Sequence, residues 1–167
     1  MKTTVSVIRK DNPAWTNFVT EVYRLGKSKV YARAGVINEP AKQEHGDSNI
    51  STGMLATILE YGNEHIPARS FVKGTFRKNI KEYRGALRSV PFAMLDEQSL
   101  PETLDLIGAK MAQDMKAAIF NGVGLPPPNA LSTIARKGFD HPLLETTQLM
   151  EAIGHDVRSG VGDKRIL

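Results

Sequence analysis

The chain has 167 residues, 41% of them hydrophobic and 24% charged, which fits one soluble globular domain able to bury about 70% of its unfolded-chain surface. It has no cysteine, which excludes disulfides, thiolate metal sites and cysteine nucleophiles together. A net charge of +4 permits contact with nucleic acid without demanding it, and no apolar run approaches the roughly 18 residues of a membrane span.

The opening Met1-Lys2-Thr3-Thr4-Val5 holds too short an apolar stretch for a signal peptide, so cytosolic synthesis is expected. Val5 and Val7 alternate with polar neighbours and predict a weak strand over residues 1–9. Asn12 can cap a first helix, and Pro13 suits its first position. Trp15, Phe18, Val19, Val22 and Leu25 then recur at helical spacing until Gly26. Residues 29–37 are rich in Val, Tyr and Ile and read as a strand. Residues 38–50 read as a long polar loop.

Ser51 or Thr52 caps the next helix, which carries Met54, Leu55, Ile58 and Leu59. It runs into the most informative stretch of the chain, Glu60-Tyr61-Gly62-Asn63-Glu64-His65-Ile66-Pro67-Ala68-Arg69-Ser70-Phe71. Gly62 fits a left-handed helix end, and Pro67 fixes the backbone leaving the turn. Arg69 and Phe71 put a polar fork and an aromatic anchor at the mouth of the following helix. The segment reads as a rigid elbow between two helices, with Arg69 expected to bridge to Glu60.

After Phe71 comes the most regular element. Val72, Phe76, Ile80, Tyr83, Leu87 and Val90 define one apolar stripe. Lys73, Arg77, Lys81, Arg84 and Arg88 each follow a member of it directly, so a basic ridge runs beside the stripe. That ridge suits phosphate contact or a charged subunit interface, and a plain solvated helix face accounts for it equally simply. Pro91 is expected to end or kink the helix.

Ser99-Leu100-Pro101-Glu102 starts another helix, whose apolar face is Leu104, Ile107, Met111, Met115, Ala118 and Ile119, closed by Asn121-Gly122. Pro126, Pro127 and Pro128 stiffen the chain beyond it. A short helix over 129–137, a turn at Pro142 and a short helix over 146–153 follow. Residues 159–167 lack an amphipathic pattern and are expected to be mobile. The division read from this pattern is a core over 1–125 and a proline-led arm and tail over 126–167, so a chain ended after Asn121 is expected to keep a folded core.

Catalytic candidates are sparse. Glu44, His45 and Asp47 cluster on the polar loop and Glu64-His65 sits in the elbow, but no spacing such as His-Glu-x-x-His joins them, and they read as loop polarity rather than a metal site. His141 and His155 are isolated. No Gly-x-Ser-x-Gly turn occurs, and Gly122-Val123-Gly124 lacks the downstream Gly and Lys of a phosphate loop. An enzyme is not expected, nor a metal or other cofactor.

Two blocks carry a resemblance. The first is a helix ending in Glu60-Tyr61-Gly62 followed by Ile66-Pro67-x-Arg69-x-Phe71. The second runs through Pro127-Pro128, Leu131-Ser132-Thr133, Arg136-Lys137-Gly138 and Pro142-Leu143-Leu144-Glu145-Thr146 to Leu149 and Ile153. In that order they resemble the tail-completion or minor tail component family, neck proteins of tailed bacteriophages. Thr147 stands where that family generally has glycine. The first 50 residues carry no such likeness.

The elements read along the chain predict an α+β protein, a small antiparallel sheet packed with two long amphipathic helices, plus a loop-rich C-terminal arm; a role comes from the resemblance. It implies a virion component built as a ring, sixfold by analogy, completing the tail and joining it to the head. Its partners would be further copies of itself, the head-side connector or stopper protein, and the tail terminator or tail tube protein. Genomic DNA would pass through the lumen without sequence specificity, and no membrane is involved. A basic nucleic-acid-binding module using the ridge is the competing expectation.

Overall fold

A computed structural model describes residues 13–27, 29–45, 49–93, 99–122, 127–138, 140–141, 143, 147–160 and 164–165. The strand expected over 1–9 therefore lies outside the described residues, as do Asp47, Pro126, Pro142 and Thr146. In chain order the elements are α1 (Pro13–Lys27), β1 (Val30–Val36), a 3₁₀ turn (Glu39–Lys42), α2 (Thr52–Tyr61), α3 (Val72–Ala93), α4 (Leu100–Asn121), α5 (Leu131–Lys137), α6 (Gln148–Ala152), β2 (Ile153–Ser159) and β3 (Lys164–Arg165). This is an α+β fold with two long amphipathic helices against a small antiparallel sheet of order β1-β2-β3.

The helix starts follow their sequence signals. Ser51 Oγ accepts from the Met54 amide at the head of α2. Ser99 and Glu102 form a reciprocal capping box at the head of α4. At the other end of α3, Pro91 does not end the helix, which continues to Ala93. A proline this near the terminus gives up a single intrahelical bond, to the carbonyl of half-exposed Leu87.

Helices α3 and α4 pack antiparallel, tied by a polar cluster. The Tyr83 hydroxyl donates to Asp114 Oδ2 at 2.8 Å, and Asn79 Nδ2 donates to the same oxygen at 3.2 Å. Lys110 Nζ bridges Asp114 at 2.6 Å and Glu82 at 3.3 Å. The expected apolar stripe of α3 is met in part: Tyr83 and Val90 are buried and Val72 and Ile80 half-buried. The buried row is Thr75, Tyr83 and Val90, while Phe76 and Leu87 are exposed. Satisfying Asn79 and the Tyr83 hydroxyl outweighs burying every apolar side chain. The stripe on α1 is likewise only edge-covered: Phe18 meets Phe92 at 6.4 Å between ring centroids, with Trp15, Val19 and Val22 exposed.

The largest departure lies at the C-terminal end. The helix expected over 146–153 is the single turn of α6, and the chain passes from it straight into β2. Strand β2 pairs antiparallel with β1 along its whole length, from Val30 opposite Ser159 to Val36 opposite Ile153. Leu149, Ile153 and Val157 are fully buried, and the first two join Phe71, Met115 and Ile119 in the core. Residues expected as a detached arm thus complete the sheet, and Lys164–Arg165, expected in a mobile tail, pairs with β2 as a third strand. The polar loop over 38–50 is also more ordered than expected. It contains the 3₁₀ turn, and Asn38 Nδ2 donates to the Glu151 and Ile153 carbonyls at 3.0 and 3.1 Å. Gly154 is required there, because a Cβ would lie 2.0 Å from Asn38 Oδ1.

On the sheet face turned away from α4, the buried Asp156 pairs with the partly exposed Arg33. Asp156 accepts from Arg33 Nε at 2.7 Å and Nη2 at 3.0 Å, and Arg158 Nε reaches it at 3.1 Å. The Arg33 guanidinium, helped by Arg158, holds the Asp156 carboxyl below its ordinary value against the opposing effect of burial. A depressed carboxylate contributes stability above its unfolded pKa and loses it as pH falls through the folded value. The stability advantage of wild type over Asp156→Asn is therefore expected to be on the order of 1 kcal/mol near neutrality. It should shrink below about pH 4, as urea melts over a pH series would show.

Two further measurements check the role of β2. Ile153→Ala should cost about 2–5 kcal/mol in the same melts. A chain ended after Asn121, stripped of β2, Leu149 and Ile153, should give no cooperative melt.

Candidate functional site

The elbow is built around a buried carboxylate. Glu60, in the last turn of α2 and 7% exposed, points across to the open N-terminus of α3. Its Oε2 accepts from the Val72 amide at 2.9 Å, and its Oε1 from the Lys73 amide at 2.9 Å and the Ser70 hydroxyl at 2.7 Å. Ser70 Oγ in turn accepts from the Gly74 amide at 3.2 Å. A negative charge at a helix N-terminus is favoured both by the orphan N–H groups and by the helix dipole. Glu60 is thus a capping group supplied by the preceding helix. Ser70 went unrecognised in the sequence, although a serine just before an apolar helical run is an ordinary cap signal.

The turn between them is held by backbone geometry. Gly62 has φ 76° and ψ 174°, a positive φ as expected but extended rather than left-handed helical in ψ. A Cβ there would sit 2.7 Å from the Ala68 nitrogen. Asn63 Oδ1 accepts from the His65 and Ile66 amides at 2.9 and 2.7 Å. The Arg69 amide donates to the Leu59 carbonyl at 2.7 Å, closing the return of the chain onto α2.

Arg69 does not bridge to Glu60. The residue is buried, 7% exposed, and its Nε and Nη2 donate to the Pro127 and Pro128 carbonyls, each at 3.1 Å. Glu60 is occupied by the α3 amides, and consecutive prolines, which have carbonyl acceptors but no N–H donors, present two adjacent acceptors to the fork. The proline segment is therefore pinned to the elbow of its own chain, and the two sequence blocks that carry the resemblance meet at this side chain and again in the core, where Phe71 joins Leu149 and Ile153.

Around this clamp the remaining residues fall into place. Helix α5 ends at Gly138, and Lys137 Nζ donates to the His141 carbonyl at 3.0 Å. His141 Nε2 bonds the Ile119 carbonyl at 2.9 Å, tying the segment to the end of α4. The Asn129 amide donates to Asp140 at 3.1 Å. Leu143, with φ 64°, packs against the core, and Leu149 is buried within it. Thr147 has helical φ and ψ of −71° and −14°, so nothing there requires the family's glycine. Phe71 is wholly buried.

Between elbow and α5 lies a groove of about 450 Å³. Its floor is apolar, including Leu55, Leu59 and Leu149, and its rim carries His65, Arg136 and Lys137. No lining residue is acidic.

The basic ridge stands apart from the groove. Lys73, Arg77, Lys81, Arg84 and Arg88 are all exposed. At 100° per residue they span an arc of roughly 80°, on the side of α3 opposite its buried row. Lys73 lies 4.1 Å over the Tyr61 ring. Of the isolated histidines, His155 reaches Asp105 at 3.1 Å. Among the described residues no three His, Asp or Glu side chains converge as metal ligands.

Loss of the clamp is measurable. Arg69→Ala should destabilise the fold by about 1.5–3 kcal/mol, the range for a hydrogen bond to a charged group. Arg69→Lys should recover little, since a single ammonium cannot reproduce the fork across two carbonyls. Thermal melts with both variants distinguish this from a purely local role, in which Lys would restore wild-type stability. Compared with protein-family models, with curated proteins and with solved structures, the chain matches none of them.

Proposed function

We propose that this chain is a structural virion protein of a tailed bacteriophage. In this reading it is a tail-completion or neck component that forms a ring, six copies by analogy, and joins the tail to the head-side connector. The observation that carries the reading is the Arg69 clamp. The Ile-Pro-x-Arg-x-Phe block and the proline-led block, far apart in sequence, form one three-dimensional unit through the Pro127 and Pro128 carbonyls. A resemblance produced by chance would have no reason to pair its two halves. The site offers anchors and surfaces rather than reacting groups, which suits assembly.

Its partners would be neighbouring copies, the head-side connector or stopper protein, the tail terminator or tail tube protein, and DNA in transit. The virion neck would be its location, reached after assembly in the host cytoplasm. Among the described residues no helix is long and apolar enough to cross a membrane.

A second reading rests on the exposed cations of α3, a basic face about 22 Å long by helix rise. It would make the chain a nucleic-acid-binding module acting through phosphates.

Three measurements separate the readings. Electron microscopy of purified protein should reveal rings, and the gene should restore head–tail joining to a phage lacking its own tail-completion protein. In gel shifts the isolated subunit should bind DNA only around 10⁻⁴–10⁻⁶ M at physiological salt, the non-specific range. Nanomolar or sequence-selective binding, lost in an Arg77→Gln, Lys81→Gln, Arg84→Gln variant, would put the second reading first.

A further inference from the structure

On the outer face of α3 the cations stand unpaired. Arg77, Lys78, Lys81, Arg84 and Arg88 are exposed, and among the described residues their side chains form no hydrogen bond or ion pair. The single acid of the helix, Glu82, is taken by Lys110 at 3.3 Å. Gly85 lies among these cations, about 40° round the helix from Lys81 and about 20° from Lys78. A Cβ there would meet nothing within 4 Å, so the fold itself does not ask for glycine, a poor residue for a helix interior. Its effect is a patch of open backbone flanked by positive charge. At the start of the ridge the fold adds an aromatic ring from another helix. Tyr61 of α2 is 62% exposed, and Lys73 Nζ lies 4.1 Å over the centre of its ring. A merely solvated helix face mixes charges of both signs. This one sets unneutralised cations beside a stacking surface and leaves room for close approach.

We propose that this face is a track for single-stranded nucleic acid. Phosphates lie on Arg77, Lys81, Arg84 and Arg88, the strand approaches the helix closely at Gly85, and one base stacks on Tyr61. Charge alone favours the duplex, which carries roughly twice the charge per unit length. Tyr61 decides for the single strand, because a base can stack on a side chain only where it is not already stacked between its neighbours. Every base has a π-face, so binding is tolerant of sequence. From Lys73 to Arg88 the track is about 22 Å long by helix rise. The inference deepens the nucleic-acid reading of the ridge and rests on it, not on the assembly of a neck.

The test is fluorescence anisotropy with the purified protein. Its probes are a labelled oligothymidylate of about 15 nucleotides, within the range of known single-strand sites, and a duplex of the same length. The single strand should bind at least about fivefold more tightly than the duplex. Its log–log salt dependence should have a slope of roughly −3, as four phosphate contacts at about −0.7 each require. Tyr61→Leu should weaken single-strand binding at least about tenfold and leave duplex binding unchanged, whereas Tyr61→Phe should keep wild-type affinity. Gly85→Leu should weaken single-strand binding at least about threefold while melting no lower than wild type, since leucine is the better helix former. Preference for the duplex, or a Tyr61→Leu variant that binds the single strand as well as wild type does, overturns the proposal. If binding in that case is still lost in the Arg77→Gln, Lys81→Gln, Arg84→Gln variant, the charge-only nucleic-acid reading stands without it. Binding of neither nucleic acid overturns both.

Discussion

Glu60 is the constraint on which the rest of the structure turns. Its carboxylate replaces the missing hydrogen-bond partners at the start of α3, accepting from two backbone amides and the Ser70 hydroxyl at once. A carboxylate so deeply buried is tolerable only because all its partners are donors fixed by the backbone. The arrangement sets where α3 begins and at what angle it leaves α2. From there follow the docking of α3 on α4, the entry of Phe71 into the core and the position of Arg69. The elbow is stiff because its polar groups have no alternative partners, not because its residues are large.

The Arg69 guanidinium extends that constraint to the other half of the chain. It holds the proline segment against the elbow, and so sets the direction in which α5 leaves and the width of the groove between them. What reads in one dimension as a linker becomes a wall. The bonds of Arg69 to Pro127 and Pro128 and of His141 to Ile119 join segments distant in sequence, so the geometry of the site depends on the fold being complete.

Much of the helical framework was legible in the residues. Ser51, Ser99 with Glu102, Gly62 and Gly122 mark helix ends by mechanisms that operate locally, and each does so here. The misreadings share a different cause. Strand β2 was missed because Gly154 and Asp156 are poor strand formers taken alone. Gly154 is there to admit Asn38, and Asp156 is there for Arg33, partners more than a hundred residues away. On α3, Tyr83 and Val90 are buried as their spacing predicts, while the bonds of Asn79 and Tyr83 to Asp114 depend on another helix. Arg69 was correctly singled out and wrongly paired, because the sequence displays donors and acceptors but not which distant carbonyls are left without competitors. Local chemistry could be read; partnerships formed across the fold could not.

The pairing of β1 with β2 also bears on how the protein reaches this state. The two strands lie more than a hundred residues apart, with the five α-helices α2 to α6 between them. During synthesis β1 leaves the ribosome well before its partner exists, so one hydrogen-bonding edge waits unsatisfied while the helices form. Closing so long a loop is slow compared with local helix formation, and exposed edges in the interval invite pairing with other chains. Strand β2, made only after all of these helices, therefore governs solubility as much as shape. The partly folded α-helical chain, rather than the finished protein, is the species at risk of aggregation.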